Sequence, residues 1–287
     1  MVCRGARFAW GSRTYIMGII NVTPNSFSGD GVMDAETAIA QGVRFVEEGA
    51  DILDVGGEST RPPSTAAAEG HRFGQQYGQA ATLVSVEEEL RRVIPVIEGL
   101  AQRITVPISV DTYKAAVAKR ALEAGATMVN DVWGLKADPA IAGVTAQGKA
   151  ALVVMHNQRG TQYRDLLADI KASLLRSVAQ AQEAGVPQDN LIVDSGVGFG
   201  KTPQHNLELL RRLGELKALG YPLLVGASRK STIGLVLGLS AEDRVEGTAA
   251  TVALSIANGA DLVRVHDVKA MARVAKMTDA IVRGWSG

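Results

Sequence analysis

Eight short apolar runs in this chain each end on a polar or charged side chain, and that recurrence limits the folds open to it. The runs are IMGIIN ending at Asn21, DILDVGGES carrying Asp54 and Glu58, ISVD ending at Asp111, and MVND ending at Asn130 and Asp131. They continue with ALVVMH ending at His156, LIVD ending at Asp194, LLVGASRK ending in Arg229 and Lys230, and LVRVH carrying Arg264 and His266. Runs of β-branched and aliphatic residues this short read as buried parallel strands. A polar residue at the carboxyl end of each gathers the chemistry on one rim, which is the layout of an enzyme.

Helical stretches lie between the runs and leave by a recurring phrase. AETAIAQGVRFVEEGADILDV has apolar residues at helical spacing, then Gly49, then a strand. The phrase returns around Gly125, Gly185 and Gly259. Glycine there supplies the left-handed residue that ends a helix and lets the chain turn straight into a strand. Repeated helix–glycine–strand units imply a parallel sheet with right-handed crossovers. Eight units predict an α/β chain closed into a (β/α)8 TIM barrel, with its working face at the strand C-termini. A doubly wound open sheet is the alternative, but it would not place function on every strand. No low-complexity linker divides the chain, so residues 1–287 read as a single domain with a short N-terminal β extension.

Composition excludes several classes. Thirty basic residues balance thirty acidic ones, which argues against a dedicated nucleic-acid surface or a polybasic membrane anchor. Cys3 is the only cysteine, so no internal disulfide forms and a reducing, cytoplasmic setting is expected. The basic start runs into Thr23 and Pro24 without a small-residue cleavage site, and no apolar run reaches the length of a membrane span.

One segment breaks the rhythm. Residues 63–84, rich in Ala, Gly, Gln and Ser, make a long insertion in the second βα loop. It stands equally as a tolerated insertion and as a lid on the active face. Ser85 with Glu88 three residues on resembles a capping box and marks the next helix start.

At the rim, Asp111 and Asp194 are placed to point into a shared cavity with Asn130. Two carboxylates and an amide suit a planar heterocycle presenting several N–H donors. Any one strand-end Asp could instead cap the next helix; joint occurrence on strands three, four and six favours the cavity. A positive cluster follows, Ser228–Lys230 on strand seven and Arg264–His266 on strand eight, where barrels frequently hold phosphate. In a closed barrel these would face Asn21 on strand one, and together they read as an anion site. His156 has no second His or Cys nearby in sequence and reads as a packed residue. DSGVGFGKT imitates a phosphate-binding loop with Lys201 and Thr202, but that pattern needs Gly where Ser195 stands. Its glycines more naturally let backbone approach a flat ligand.

These motifs in this order resemble the dihydropteroate synthases, the pterin-binding barrel enzymes of folate biosynthesis. The resemblance runs end to end: GIINVTPNSFSGDG, DVGGESTRP, SVDTYKA, VNDVWG, VVMHNQRGT, VDSGVGFGKT, GASRKSTIG and VRVHDV. It implies a pterin pocket of Asp111, Asn130, Asp194 and Lys230, with Phe199 along its wall. It implies a pyrophosphate site of Asn21, Arg264 and His266, with Mg²⁺ bridging Asn21 and phosphate oxygens. The p-aminobenzoate amine would enter near Phe27, Thr60, Arg61, Pro62, Lys230 and Ser231. The implied chemistry condenses 6-hydroxymethyl-7,8-dihydropterin pyrophosphate with p-aminobenzoate, by loss of pyrophosphate at a methylene carbon with cation character. A homodimer through outer-layer helices is implied too. Loop one departs from the family pattern at Asn25 and Gly29, with Asp30 one residue away, and Ser195 replaces a usual Pro. Because sulfonamides compete at the p-aminobenzoate subsite, the altered loops bear on drug sensitivity. A folate-dependent methyltransferase and a non-catalytic pterin-binding barrel are the other readings; SRKS with GESTRP argues against the first, and Asn21, Arg264 and His266 argue against the second.

Overall fold

The computed structural model of the chain describes residues 1–23, 34–58 and 84–285. An antiparallel hairpin of β1 (Val2–Cys3) and β2 (Ala6–Arg7) comes first. Eight parallel strands then close into a barrel: β3 (Tyr15–Asn21), β4 (Ile52–Gly56), β5 (Ile108–Asp111), β6 (Met128–Asp131), β7 (Ala151–Met155), β8 (Leu191–Asp194), β9 (Leu223–Val225) and β10 (Leu262–Val265). β10 pairs with both β9 and β3, so the two ends of the chain seal the cylinder and the sheet has no edge. The predicted TIM barrel and N-terminal β extension are both present.

Around it lie α1 (Ala35–Glu47), α2 (Val86–Arg103), α3 (Ala115–Glu123), α4 (Ala140–Gln147), α5 (Leu166–Glu183), α6 (Pro203–Arg211), α7 (Gly214–Lys217), α8 (Ser231–Leu237), α9 (Val245–Ala257) and α10 (Val268–Arg283). The helix starts follow local chemistry. Asp34, Ser85, Asp165 and Thr202 each cap an N-terminus by accepting a backbone N–H. At Ser85 only half of the expected box forms, because Glu88 turns away to Arg91 and Arg92. The reciprocal box occurs instead between Thr202 and His205.

The glycine exits behave as expected. Gly49, Gly125, Gly185 and Gly259 all have positive φ, between 96° and 113°. At each, the next residue's N–H returns to a carbonyl five positions back, as Ala50 does to Phe45 at 2.9 Å and Ala260 to Ser255 at 2.9 Å. A fifth copy escapes a search for glycine. After α4, Lys149 holds φ 50° and Ala150 donates to Thr145 at 3.1 Å, while Gly148 one residue earlier sits in the ordinary helical region.

Strand parity divides the core in two. Ile20, Leu53, Val55, Val110, Val129, Val154, Val193, Val225 and Val265 face outward and pack beneath the helices. Met17, Ile52, Met128, Val153, Ile192, Leu224 and Leu262 face inward and fill the lower half of the barrel, which Cys3, Phe8 and Tyr15 close from below. Cys3 is tied there by its thiol to the Thr127 hydroxyl at 3.2 Å. Each fully buried aliphatic side chain adds about 1.5–3 kcal/mol, so both layers stabilise closure.

Candidate active site

Two residues further along, five of the eight inward-facing rows turn to charged or amide side chains. Ile52 is followed by Asp54, Ser109 by Asp111, Met128 by Asn130, Ile192 by Asp194, and Leu262 by Arg264. Register aligns them: Asn21 pairs with Gly56, Gly56 with Asp111, and Asp111 with Asn130. The upper half of the interior is therefore a ring of hydrogen-bonding groups above an apolar floor.

Arg264 is the knot of that ring. Its Nε donates to Asp54 Oδ2 at 2.6 Å and its Nη2 to Asp111 Oδ2 at 2.7 Å. Asn130 Nδ2 donates to the same Asp54 oxygen at 3.0 Å. Asp54 is fully buried, yet its Oδ1 has no partner among the described residues, and neither has Asn130 Oδ1. One guanidinium thus serves two carboxylates. Burial pushes Asp111 up to about 7 despite Arg264, and the Asp54 charge adds to the rise. Asp54 belongs to the site although sequence motifs did not mark it as a binding residue. Its signal was parity, two places beyond inward-facing Ile52.

Asp194 closes the opposite side. Burial raises its pKa, while the Gly196 N–H, 2.7 Å from Oδ1, and then Lys230 oppose the rise. The following loop turns on Gly196, Gly198 and Gly200, all at positive φ. A Cβ at Gly196 would lie 1.9 Å from the His156 carbonyl, so only glycine permits this approach. Lys230 reaches over the loop, donating to the Val197 carbonyl and lying 4.1 Å above the Phe199 ring. Lys201 is buried behind the loop and bonds to His156 Nδ1 at 2.9 Å. Burial first, then Lys201, presses His156 down to about 2, so it stays neutral.

The SRK run differs from its reading as a strand end. β9 stops at Val225, and Ala227–Lys230 form a turn closed by Lys230 N–H to Ala227 O at 3.3 Å, with Arg229 at φ 54°. Arg229 forms a fork with Asp267, Nε to Oδ2 at 2.9 Å and Nη2 to Oδ1 at 2.5 Å. Ser228 points to the rim, its hydroxyl 3.0 Å from His266 Nδ1. Asn21 stands half-buried at the end of β3, and Ser231 is exposed at the start of α8. Phe27, Thr60, Arg61, Pro62, the loop-one departures and positions 63–83 of the long insertion lie outside the described residues. Beside that insertion, Glu58 accepts from Lys114 at 2.5 Å and from Tyr113 at 3.0 Å, which ties the end of β4 to α3.

The structure thus brings Asp111, Asn130, Asp194 and Arg264 around one cavity with Lys230 and Phe199 at its side and His266 on the β10 rim. A closed barrel with acceptors buried at its C-terminal mouth defines an enzyme for a donor-rich, flat ligand.

Comparison with known proteins makes the class specific. The family model described as "Pterin binding enzyme" matches residues 17–72 and 73–266. A dihydropteroate synthase of Clostridium beijerinckii is 47% identical over 278 residues, covering 96% of this chain and 97% of that protein. Among solved structures, a dihydropteroate synthase of Clostridium difficile crystallised in the presence of pteroic acid has TM-score 0.85 and 50% identity, covering 96% of this chain and all of the other. A Xanthomonas albilineans dihydropteroate synthase with 4-aminobenzoic acid has TM-score 0.82 and 41% identity over 94% of this chain and 93% of its own. The chain belongs to the dihydropteroate synthases, pterin-binding transferases of folate biosynthesis.

Proposed function

We propose that the barrel mouth joins 6-hydroxymethyl-7,8-dihydropterin pyrophosphate to p-aminobenzoate, forming 7,8-dihydropteroate and releasing pyrophosphate. The observation that carries this reading is the set of buried acceptors, Asp54 Oδ1 and Asn130 Oδ1, across the barrel mouth from the Asp194 carboxylate. A pterin edge presents ring and amino N–H groups that suit such acceptors. Phe199 and Lys230 would close on the pterin face. The pteroic acid present with one solved relative and the 4-aminobenzoic acid with the other support the same pair of substrate classes.

In this reading Arg264 and His266, with Asn21 across the β10–β3 seam, receive the leaving pyrophosphate. Arg264 is already paired with Asp54 and Asp111, so the diphosphate would share its guanidinium with them. Asp111 and Asp194 would stabilise the positive charge that develops on the pterin methylene as pyrophosphate departs. The arylamine then adds to that carbon, and its proton leaves with the products. Phe27, Thr60, Arg61, Pro62 and Ser231 would form the p-aminobenzoate entrance with Lys230.

Among the described residues no three His, Cys, Asp or Glu side chains form a metal cage. The one amide oxygen of Asn21 suits a Mg²⁺ ion whose other ligands are substrate phosphate oxygens and water. When bound, the metal would offset charge on the departing diphosphate.

We also read the chain as one cytoplasmic domain that works as a homodimer. The barrel needs strands from Tyr15 to Val265 to close, and among the described residues no helix is long and apolar enough to cross a membrane. Leu254 on α9 is 60% exposed, and Ile281 on α10 and the following Trp285 are 71% and 81% exposed. These exposed apolar side chains would belong to the surface that a second copy covers.

The deciding experiment is pyrophosphate release from the dihydropterin pyrophosphate and Mg²⁺, with and without p-aminobenzoate. Release coupled to dihydropteroate formation is expected. Tight pterin binding without turnover would reduce the chain to a binding barrel, and no pterin binding would overturn the reading.

A further inference from the structure

We infer that Lys201, braced by His156 outside the cavity, is a positioning residue that sets Asp194 and Phe199 in the pterin seat. The inference rests on the assignment of that seat to the Asp194 side of the barrel mouth. Lys201 resembles the lysine of a phosphate-binding loop in sequence, but its ammonium turns inward. It donates to Gly196 O at 2.9 Å and Phe199 O at 3.0 Å, with His156 Nδ1 at 2.9 Å as its third partner. The side chain is 4% exposed. Burial presses the Lys201 pKa well below the ordinary lysine value, yet either form is satisfied. The ammonium donates to all three partners, and the amine donates to both carbonyls and accepts from the imidazole, so nothing is left to offer a ligand. For the imidazole to accept at Nδ1, its hydrogen must reside on Nε2.

What Lys201 grips is the loop that shapes the seat. Gly196, held through its carbonyl by Lys201, sends its N–H to Asp194 Oδ1 at 2.7 Å. Phe199, held the same way, carries the ring beneath Lys230. The loop's outer end is pinned by Tyr163, whose hydroxyl donates to Gly200 O at 2.7 Å. With three glycines at positive φ between Asp194 and Lys201, the backbone has few intrinsic preferences. A buried amino group bonded to two of its carbonyls selects one conformation, and His156 fixes that group to the end of β7. Lys201 therefore acts on the ligand only through Asp194 and Phe199.

A double-mutant cycle tests this, with binding of 6-hydroxymethylpterin followed by calorimetry. Asp194→Asn and Lys201→Met are each expected to weaken binding about tenfold, and the double variant by well short of the roughly hundredfold that independent losses would give. The half-saturating p-aminobenzoate concentration at saturating pterin substrate should not move. If Lys201→Met does not fold, His156→Leu enters the same cycle; it keeps the Lys201 amino group, and a smaller loss that shrinks in the Asp194→Asn background is expected. Additive losses, or full affinity in the Lys201 or His156 variant, would overturn the inference while leaving the seat assigned. Full affinity in Asp194→Asn would overturn the seat and this inference with it.

Discussion

The lower and upper halves of the barrel interior use the same strands and the same inward parity, and two residues separate them. Met128 and Asn130 sit on one strand, as do Ile52 and Asp54, and Ile192 and Asp194. Below, side chains fill space among themselves and need nothing beyond shape. Above, each polar group needs partners, and some partners must come from a ligand. Stability and chemistry are thus stacked along one axis, so an apolar substitution in the floor should leave ligand binding almost untouched.

The hardest test of that separation is Met128→Ala. Met128 is fully buried in the floor, and the cavity should cost about 2–5 kcal/mol of stability. Denaturant unfolding would measure the loss, while pterin affinity of the protein that stays folded should be unchanged. A large fall in affinity would mean that the floor also shapes the seat.

Asp194→Ala probes the upper layer. Leaving pterin donors unpaired should cost roughly 1.5–3 kcal/mol of pterin binding. Titration with a pterin would read the change, and unchanged affinity would remove Asp194 from the seat.

The two layers should also differ in their response to pH. Asp111 moves from 3.8 to about 7 in the folded protein, chiefly through burial. The folded state then binds this proton more tightly than the unfolded chain. Stability from the group is complete below about pH 4 and is lost as pH rises through 7. In the ligand-free protein Asp111→Asn should flatten this decline by on the order of 1 kcal/mol per pH unit. Parallel pH profiles for the two proteins would show that Arg264 keeps Asp111 ionised.

The smallest effect belongs at the lower rim. Lys149 occupies the left-handed position that glycine holds at the four other exits. Lys149→Gly should relieve strain and stabilise the fold by up to about 1 kcal/mol, with catalysis unchanged. A lower thermal midpoint would mean that the added freedom of the unfolded chain outweighs the strain.

Much of the fold was legible locally. Apolar runs, glycine exits and capping residues act within a few positions of one another, so they determined the strands, the helix ends and the rim on which Asp111, Asn130 and Asp194 would gather. Motif order was sufficient for the family resemblance. Tertiary structure decided what those local signals cannot hold. Arg264 and Asp54 lie 210 residues apart, and barrel closure makes them an ion pair in one ring. Arg229 and Arg264 read alike in sequence, yet a turn beyond Val225 sends the first to Asp267 and strand parity sends the second into the cavity. Ser195 was enough to dismiss Lys201 as a phosphate-loop lysine, but what Lys201 does instead came from its three partners in the folded loops around it. Residue type is chosen by neighbours in the chain and in space alike; the direction in which a charge points depends on backbone registry and closure, which only the assembled barrel determines.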